Sequence, residues 1–232
     1  MAGMNTTYPI ASVAELIGER GRAAILVTLL DGRAQTAGAL AFVAEISAQS
    51  ASAHLSKLVD GGLLSVQTSG RHRYYRIADP QVAHAIEALG VIATRPRQPT
   101  GPGPRETGDM YRARSCYDHL AGRVAVDLAR ALEDSGVIQP RGERDYEVGR
   151  QGASWFKGLG IDVDGLRCCR RAFARRCLDW TERKPHIAGG LGATLFSRMQ
   201  ALGWLARRRH TRALRITHRG ARELQARLGF TA

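Results

Sequence analysis

The sequence lacks the features of membrane-spanning, secreted and disordered proteins. None of its 232 residues lie in an apolar run near the roughly 18 residues that a transmembrane helix needs. The first ten residues lack the basic and apolar regions of a signal peptide. Four cysteines are too few for a disulfide framework, so we expect reduced thiols and a cytoplasmic protein. Because 44% of the residues are hydrophobic, an intrinsically disordered chain is excluded.

Acidic residues are also scarce. The chain has 34 Lys and Arg against 21 Asp and Glu, a formal charge of +13, and nearly all the cations are arginine. Such an excess favours a polyanionic partner, with nucleic acid first and an acidic membrane surface second. Composition alone does not choose between the two partners.

One segment rich in proline and glycine divides the chain. Prolines at 96, 99, 102 and 104 prevent helix and sheet, which predicts a linker over residues 95–106 between domains at 1–94 and 107–232. Residues 1–95 carry eight Lys and Arg against seven Asp and Glu, whereas residues 96–232 carry 26 against 14. The positive charge therefore belongs to the second half.

The first half has a pattern of helices followed by a hairpin. Apolar spacing and turn residues predict helices over 12–30 (broken at Gly18 and Gly21), 36–43, 48–60 and 81–92, and strands over 63–68 and 73–77. Ser47 suits the N-cap of the third helix, and Gly61 and Gly62 end it. Two helices joined by a short turn and followed by a hairpin predict a winged helix-turn-helix.

Two segments resemble the ArsR family of bacterial repressors. They are residues 52–64 (SAHLSKLVDGGLL) and 69–77 (SGRHRYYRI), within a resemblance that covers roughly residues 12–92. The resemblance implies a winged helix-turn-helix repressor. The chain departs from the family at positions 48 and 53, which are alanine where family members often carry longer polar or basic residues, so we expect sparse base contacts from this helix.

The predicted geometry assigns DNA-binding roles. The exposed start of helix 48–60 would place polar side chains at base edges or phosphates, and the tip of the hairpin would reach a flanking phosphate or the minor groove. The candidate residues are Gln49, Ser50, Ser52 and Lys57 on the helix and Arg71, His72 and Arg73 at the tip. A solvated surface charge is the alternative for Lys57, and packing is the alternative for His54.

The metal sites that the resemblance suggests are not intact. Many ArsR-type repressors bind metal through a Cys-x-Cys box in the helix before the recognition helix, but residues 36–43 contain no thiol. Others use Asp and His in the final helix of the domain, where Asp79 and His84 stand without a further ligand before the linker. Two ligands do not close a tetrahedral site.

The second half predicts a divergent second winged helix. Its expected elements are a helix over 107–135, a small hairpin of 146–149 with 154–159, helices over 164–180 and 194–202, strands over 204–210 and 211–217, and a helix capped by Thr217. Nine arginines and one acid fall within residues 198–227, and they favour a phosphate backbone. Arg207, Arg208 and Arg209 are weaker DNA-binding candidates. A solvated face, a dimer surface or a surface for a protein partner are the alternatives.

All four cysteines lie in this half, where two segments resemble the C-terminal part of longer ArsR-type regulators. The candidate metal or effector residues are Cys116, His119, Cys177, Asp179 and His186. Within the expected helix Cys116 and His119 would share one face, and Cys with His suits Zn²⁺ or another thiophilic ion. The alternatives are plain packing, or an organic effector pocket involving Trp155 and Trp180. A Cys–His hydrolase is disfavoured because no oxyanion site or orienting third group accompanies the pair.

Together these patterns predict a mainly α fold with small β hairpins. An N-terminal winged helix-turn-helix would precede a C-terminal winged-helix-like domain, with no certain cofactor and no membrane partner. The expected function is that of a homodimeric, sequence-specific DNA-binding transcriptional regulator, a repressor released from its double-stranded operator by a metal or small-molecule effector, and not an enzyme. The alternatives are an effector-independent nucleoid-type DNA-binding protein, and a metal or thiol sensor that uses the C-terminal Cys/His residues.

Overall fold

The computed structural model describes residues 10–93, 108–208 and 211–229. These residues form two compact units, Met1–Ile86 and Glu87–Ala232. The predicted linker over 95–106 lies outside the described residues. Among the helices described, none is long and apolar enough to span a membrane.

The N-terminal part is a helical bundle with a three-stranded antiparallel sheet. Its elements are α1 (Ile10–Ile17), α2 (Arg20–Leu29), β1 (Gln35–Thr36), α3 (Ala37–Val43), α4 (Ala48–Asp60), β2 (Leu64–Ser69), β3 (His72–Ile77) and α5 (Pro80–Ala93). The strands run in the order β1-β3-β2, and the β2–β3 pairing extends from Leu64 opposite Ile77 to Ser69 opposite His72. The predicted winged helix-turn-helix is confirmed, and the division between the two units falls within α5.

Side-chain caps explain where these helices begin. Glu19, Thr36 and Ser47 stand before α2, α3 and α4, and each accepts a hydrogen bond from a backbone N–H of the first turn. Such caps satisfy donors that the helix itself leaves without a partner. The buried faces of the helices supply a core of Ile25, Leu26, Leu29, Leu30, Leu40, Leu55 and Leu58.

The C-terminal unit alternates short hairpins with helices. After α5 the elements are α6 (Asp109–Arg112), β4 (Arg114–Cys116), β5 (His119–Ala121), α7 (Arg123–Asp134), β6 (Ile138–Arg141), β7 (Asp145–Val148), α8 (Gly152–Lys157), α9 (Val163–Arg167), β8 (Arg175–Leu178), β9 (Pro185–Ala188), α10 (Gly189–Ala201), β10 (Leu205–Arg207), β11 (Leu214–Ile216) and α11 (His218–Leu228). Strands β6-β7-β8-β9 form one antiparallel sheet, and β4-β5 and β10-β11 form two separate hairpins.

The predicted helix over 107–135 is wrong, because a hairpin interrupts it. Strands β4 and β5 are joined by a tight turn in which Tyr117 has φ 58°, and only the segment from Arg123 onward is the long helix. Gly122 precedes that helix with φ 88° and ψ −176°, a conformation that is essentially restricted to glycine. A Cβ at Gly122 would lie 2.9 Å from the carbonyl oxygen of Tyr111. The apolar residues before Gly122 had the spacing of a helix by coincidence.

Two other predicted elements are also wrong. Tyr146–Val148 pairs with β6 rather than with residues 154–159, which begin inside helix α8. The helix predicted over 164–180 ends at Arg167, and the residues that follow lead into the β8–β9 hairpin. By contrast, the predicted order of helix, hairpin and Thr217-capped helix is found in α10, β10–β11 and α11, where the Thr217 hydroxyl accepts from Gly220 N–H at 2.9 Å.

Helices α7 and α10 provide the centre of this unit's core. Both are buried along one row, and the rows are Val124, Leu128 and Leu132 on α7 and Leu191, Leu195 and Met199 on α10. Trp204, Phe156, Tyr146 and Phe196 are among the aromatic side chains of this core, each at most 3% exposed. The core of this unit is therefore mainly helical, and the hairpins, two of which join in the four-stranded sheet, pack around it.

The conformation of Gly122 leads to a prediction about stability. We expect Gly122→Ala to lower the free energy of unfolding by more than about 2 kcal/mol, because a side chain there meets both a forbidden conformation and a backbone carbonyl. Gly203→Ala is the matched control, since Gly203 has φ 71° but no atom within 4 Å of an added Cβ. Its cost should stay near 1–2 kcal/mol. Urea denaturation of both variants measures the difference, and equal losses would contradict the close approach at Gly122.

Candidate DNA-binding surface and Cys/His cluster

Helix α4 presents its N-terminal half to solvent. Ala51, Leu55 and Leu58 are buried on one side of the helix. The other side is exposed over Gln49, Ser50, Ser52 and Lys57, the four helix residues predicted to bind DNA. Ser47 Oγ accepts from Ser50 N–H at 3.1 Å, so the first turn of the helix is fixed by its cap.

The four predicted side chains differ in how free they are to make outside contacts. Ser52 Oγ donates to the Ala48 carbonyl at 3.0 Å, and Ser50 Oγ accepts from the Ser47 hydroxyl at 2.9 Å. Among the described residues, neither Gln49 nor Lys57 has a hydrogen bond or ion pair through its side chain. Gln49 therefore has the free amide for base contacts, and Lys57 the free ammonium for a phosphate.

His54 holds the base of α4 against α2. Its Nε2 lies 3.4 Å from a Glu19 carboxylate oxygen, and its Nδ1 lies 3.4 Å from the Arg22 guanidinium. Glu19 is also the cap of α2, and the N–H groups of Gly21 and Arg22 lower the pKa of its carboxyl. This agrees with the packing interpretation of His54, whose contacts hold α4 against α2.

The wing is a hairpin with a basic tip. Gly70 has φ 57°, which suits the first position of a two-residue turn, and Arg71, His72 and Arg73 are all exposed around it. The guanidinium of Arg73 lies 5.6 Å from the centroid of the Tyr75 ring, and that ring is buried in the unit. The structure thus brings the three predicted wing residues to one end of β2–β3.

The arginines predicted to add DNA contacts in the C-terminal unit are partly engaged. Arg208 is paired with Asp109 at 2.5 Å, and the guanidinium of Arg207 lies 5.5 Å from the Phe196 ring centroid. Arg209 lies outside the described residues. Internal partners of this kind reduce the charge that is free to meet a phosphate backbone.

Four of the five predicted metal or effector residues come together. One ligand atom from each of Cys116, His119, Cys177 and His186 lies within 4.8 Å of the other three. Cys116 pairs directly opposite His119 across β4–β5, and Cys177 pairs opposite His186 across β8–β9. Cys116 and His119 were expected on one face of a helix, and the structure instead places them on facing strands.

Both histidines are enclosed and backed by a carboxylate. Their rings stack with centroids 5.1 Å apart, and each is at most 1% exposed. His119 Nδ1 lies 3.2 Å from Asp118, and His186 Nδ1 lies 3.8 Å from Asp179. Burial lowers the pKa of His119, but its contacts with Cys116 and Asp118 outweigh burial and raise the pKa to about 9. The Cys177 thiol and burial raise the pKa of Cys116 well above its usual value.

Asp179, the fifth predicted residue, stands behind the cluster rather than within it. One of its oxygens accepts from Arg114 at 2.9 Å and from Gly122 N–H at 2.7 Å, and the other accepts from the N–H and hydroxyl of Thr181. Burial opposes ionisation, but the Arg114 guanidinium and these hydrogen bonds hold the pKa of Asp179 well below its usual range. Asp179 is thus a buried, fully engaged carboxylate.

Sequence reasoning missed the residues that surround the cluster. Asp118 also forms an ion pair with Arg171. Burial raises the pKa of Asp118, but His119 and Arg171 outweigh burial and lower that pKa to about 2. Arg114 is completely buried, and its guanidinium lies 4.5 Å from the Trp180 ring centroid. Trp180 therefore packs against an arginine, while Trp155 contacts Phe156. Of these residues, only Asp118 could have been found from the sequence, because it is an acidic residue adjacent to the candidate ligand His119.

A search for curated relatives identifies the family. The HTH-type transcriptional regulator YdfF of Bacillus subtilis (strain 168) is 46% identical over 211 residues, which cover 91% of this chain and 93% of that protein. The chain belongs to the helix-turn-helix transcriptional regulators. No family model matches the sequence. The likeness to YdfF extends through both units, so the regulator's C-terminal unit is part of what the two proteins share.

Solved structures similar to the regulator cover its N-terminal part. The homodimeric winged helix-turn-helix domain of Mb0332 from Mycobacterium bovis, a possible ArsR-family regulator, is 31% identical and covers 40% of this chain and 90% of its own, with a TM-score of 0.35. NolR from Sinorhizobium fredii is 29% identical and covers 36% and 82%, with a TM-score of 0.34. The expectation of a DNA-binding transcriptional regulator rather than an enzyme is confirmed.

The buried ion pair beside the cluster gives a second stability prediction. We expect Asp179→Asn to lower the free energy of unfolding of the regulator by about 3–5 kcal/mol, because it leaves the buried Arg114 charge without its partner. Asp164→Asn is the matched control, since Asp164 is 88% exposed and pairs with Arg167 at the surface. That change should cost less than about 1 kcal/mol. Thermal and urea unfolding measure both, and a loss at Asp179 no larger than at Asp164 would contradict the assigned role.

Proposed function

We propose that this regulator is a sequence-specific repressor that binds operator DNA as a homodimer in the cytoplasm and is released by an effector. The observation that carries the proposal is the exposed start of α4 and the basic wing tip within one winged helix-turn-helix unit. A helix of this kind enters the major groove with its N-terminal residues toward the bases, while the wing meets the flanking backbone or minor groove.

The division of roles follows from the free donors and acceptors. Gln49, in the first turn of α4, would read a base edge. Lys57, in the last turn of the same helix, would contact a phosphate. The Ser50 hydroxyl already has a partner in the cap residue Ser47 and the Ser52 hydroxyl one in α4, so they would act as additional phosphate or base contacts by turning toward the DNA. Arg71 and Arg73 would supply the electrostatic contacts of the wing, with His72 between them.

The proposed dimer is supported by the apolar character of α1. None of the residues of α1 is buried, although the helix contains Ile10, Val13, Leu16 and Ile17. Ile10 is 74% exposed and Val13 38% exposed. Leu16 and Ile17 are half-buried, so the uncovered part of the apolar side is its N-terminal end, and an exposed apolar patch of this kind marks a surface for association. A second copy of this chain is the proposed partner of that surface.

Repression by such a dimer is a two-state process. In one state the two copies of α4 would be spaced to enter successive major grooves, about 34–36 Å apart. An effector that binds the other state better would shift the population away from DNA. A nucleoid-type protein would instead bind with a steep salt dependence and little preference among sequences.

The wing provides the test of DNA binding. We expect Arg71→Ala/Arg73→Ala to weaken binding at least tenfold and to reduce the salt slope by about 2, because two phosphate contacts are lost. The probe is a duplex selected by the regulator from a random-sequence pool, and fluorescence anisotropy over a salt series measures binding. Unchanged affinity would remove the wing from the DNA-binding surface.

Arg76→Ala is the matched control for the wing variant. Arg76 is exposed on the same strand, but it lies opposite Ser65 at the base of the hairpin, and its Nε donates to the Ser65 hydroxyl. It should bind the selected duplex as the wild type does. A preference below tenfold for the selected duplex over a scrambled one would favour the nucleoid-type alternative.

The dimer has a separate test. We expect Ile10→Asp/Val13→Asp to convert the dimer to a monomer, because burying two carboxylates at the contact is unfavourable. Sedimentation equilibrium measures the change, and operator affinity should fall with it. Leu178→Asp is the control, because this side chain is 44% exposed in the C-terminal unit, and the variant should still sediment as a dimer. A dimer that persists in the α1 variant would locate the contact elsewhere.

A further inference from the structure

The C-terminal unit contains an internal repeat in its sequence. Residues 119–138 (HLAGRVAVDLARALEDSGVI) align without a gap with residues 186–205 (HIAGGLGATLFSRMQALGWL), 67 positions later. The identical pairs are His119 with His186, Ala121 with Ala188, Gly122 with Gly189, Leu128 with Leu195 and Gly136 with Gly203. In both copies the histidine lies three residues before a glycine, and fourteen further residues lead to a second glycine.

The structure repeats what the sequence repeats. Gly122 and Gly189 have φ 88° and 76° at the start of α7 and α10, and Gly136 and Gly203 have φ 67° and 71° after those helices. The buried rows of the two helices, described above, correspond residue by residue at the same offset. Each copy is therefore a module of hairpin, helix, hairpin and helix, formed by β4–α8 and by β8–α11.

The two modules contact each other through matching backbone hydrogen bonds between their strands. The first module's β7 joins the second module's β8, since Tyr146 N–H donates to Ala174 O at 3.0 Å. The second module's β11 approaches the first module's β4 through the corresponding bond, from Leu214 N–H to Ala113 O at 2.8 Å. Reciprocal contacts of this kind are those of a two-fold arrangement. Cys116 and His119 of one hairpin thus face Cys177 and His186 of the other.

We propose that Cys116, His119, Cys177 and His186 bind one thiophilic divalent cation, Zn²⁺ by preference, on the pseudo-two-fold axis of this unit. Two thiols and two imidazoles are the donor set of closed tetrahedral zinc sites. Zinc bond lengths give donor separations of about 3.3–3.8 Å in a tetrahedron. The four donors already lie within 4.8 Å of one another, so a small contraction completes the geometry.

The surroundings of the histidines support a cation at this position. Both ring nitrogens of His186 are buried and form no hydrogen bond within the described residues, which is costly for a polar group without a ligand. The carboxylates of Asp118 and Asp179 lie beside the Nδ1 atoms of the two histidines. Asp118 is within hydrogen-bond distance of His119 Nδ1, at 3.2 Å, and such a carboxylate orients Nε2 toward a metal and raises its basicity. Asp179 lies 3.8 Å from His186 Nδ1, so it contributes nearby negative charge rather than a hydrogen bond. All four ligands come from the protein and leave no open coordination position, so the proposed site is structural rather than catalytic.

The consequence of the site is a link between the two modules. Each module contributes one Cys and one His, so the cation is bound only when both hairpins are in place, and metal binding adds to the stability of the whole unit. This inference does not rest on the proposed operator binding. The regulator's affinity for DNA and its metal content are measured separately, and failure of one leaves the other standing.

The test compares three forms of the full-length protein, purified without a tag or chelator. They are the wild type, Cys116→Ser/Cys177→Ser, and the matched control Cys168→Ser/Cys169→Ser, which removes the two exposed thiols. Elemental analysis should give about one zinc per chain in the wild type and control and less than about a tenth in the Cys116/Cys177 variant. Cobalt(II) should give the intense visible bands of tetrahedral thiolate coordination with the wild type and the Cys168/Cys169 control, and not with the Cys116/Cys177 variant.

A measurement on the wild type covers the case in which the Cys116/Cys177 variant fails to fold. Dialysis against a strong chelator should lower Tm, and returning one equivalent of Zn²⁺ should restore it, whereas Mg²⁺ should not. Metal absent from the wild type after zinc addition, metal lost with Cys168 and Cys169, or octahedral cobalt spectra would each overturn the proposal. A thiol count showing Cys116 joined to Cys177 in a disulfide would overturn it as well.

Discussion

The buried carboxylate of Asp179 is the contact on which the C-terminal unit depends. It accepts hydrogen bonds from Arg114 of β4, from the N–H groups of Thr181 and Glu182 in the loop after β8, and from the N–H of Gly122 at the start of α7. These partners belong to both modules, so one side chain sets the distance between the first hairpin and the second. A buried charge is tolerated because every side of it is satisfied, and the loss of any partner would leave a charge that the interior cannot solvate.

The charge of the chain is distributed differently from what composition suggests. The nearly neutral N-terminal half carries the exposed helix start and wing, whereas the strongly basic half holds many of its arginines in ion pairs, among them Arg114, Arg171 and Arg208. The net charge of +13 already counts the acids in these pairs, so the pairing leaves the net charge unchanged and reduces only the number of arginines free for direct contacts. In the proposed complex, base contacts of the winged helix would supply specificity, and the basic half would add long-range attraction.

The accuracy of sequence reasoning differed between the halves for a physical reason. In the first half, caps, glycine stops and apolar periodicity all indicate the same elements, so helices, wing and DNA-binding candidates were predicted close to where they lie. In the second half, strands of three or four residues are too short to show alternation, and their apolar residues continued the spacing of α7. The cysteines and histidines were nonetheless grouped correctly by residue type. Asp179 was grouped with them because of its position in the sequence, and only the structure shows its engagement with Arg114.

Duplication explains why the cluster was hard to see in the sequence. Metal sites with four ligands are recognised by regular spacing, but here Cys116 precedes His119 by three residues and Cys177 precedes His186 by nine. The difference lies in the turns, two residues in one hairpin and a longer loop in the other, while the cross-strand pairing of Cys with His is the same. Two copies of a pair, related by a pseudo-two-fold axis, give four donors around one point. Spacing changes with the loop, whereas register does not, and the register is what brings the donors together.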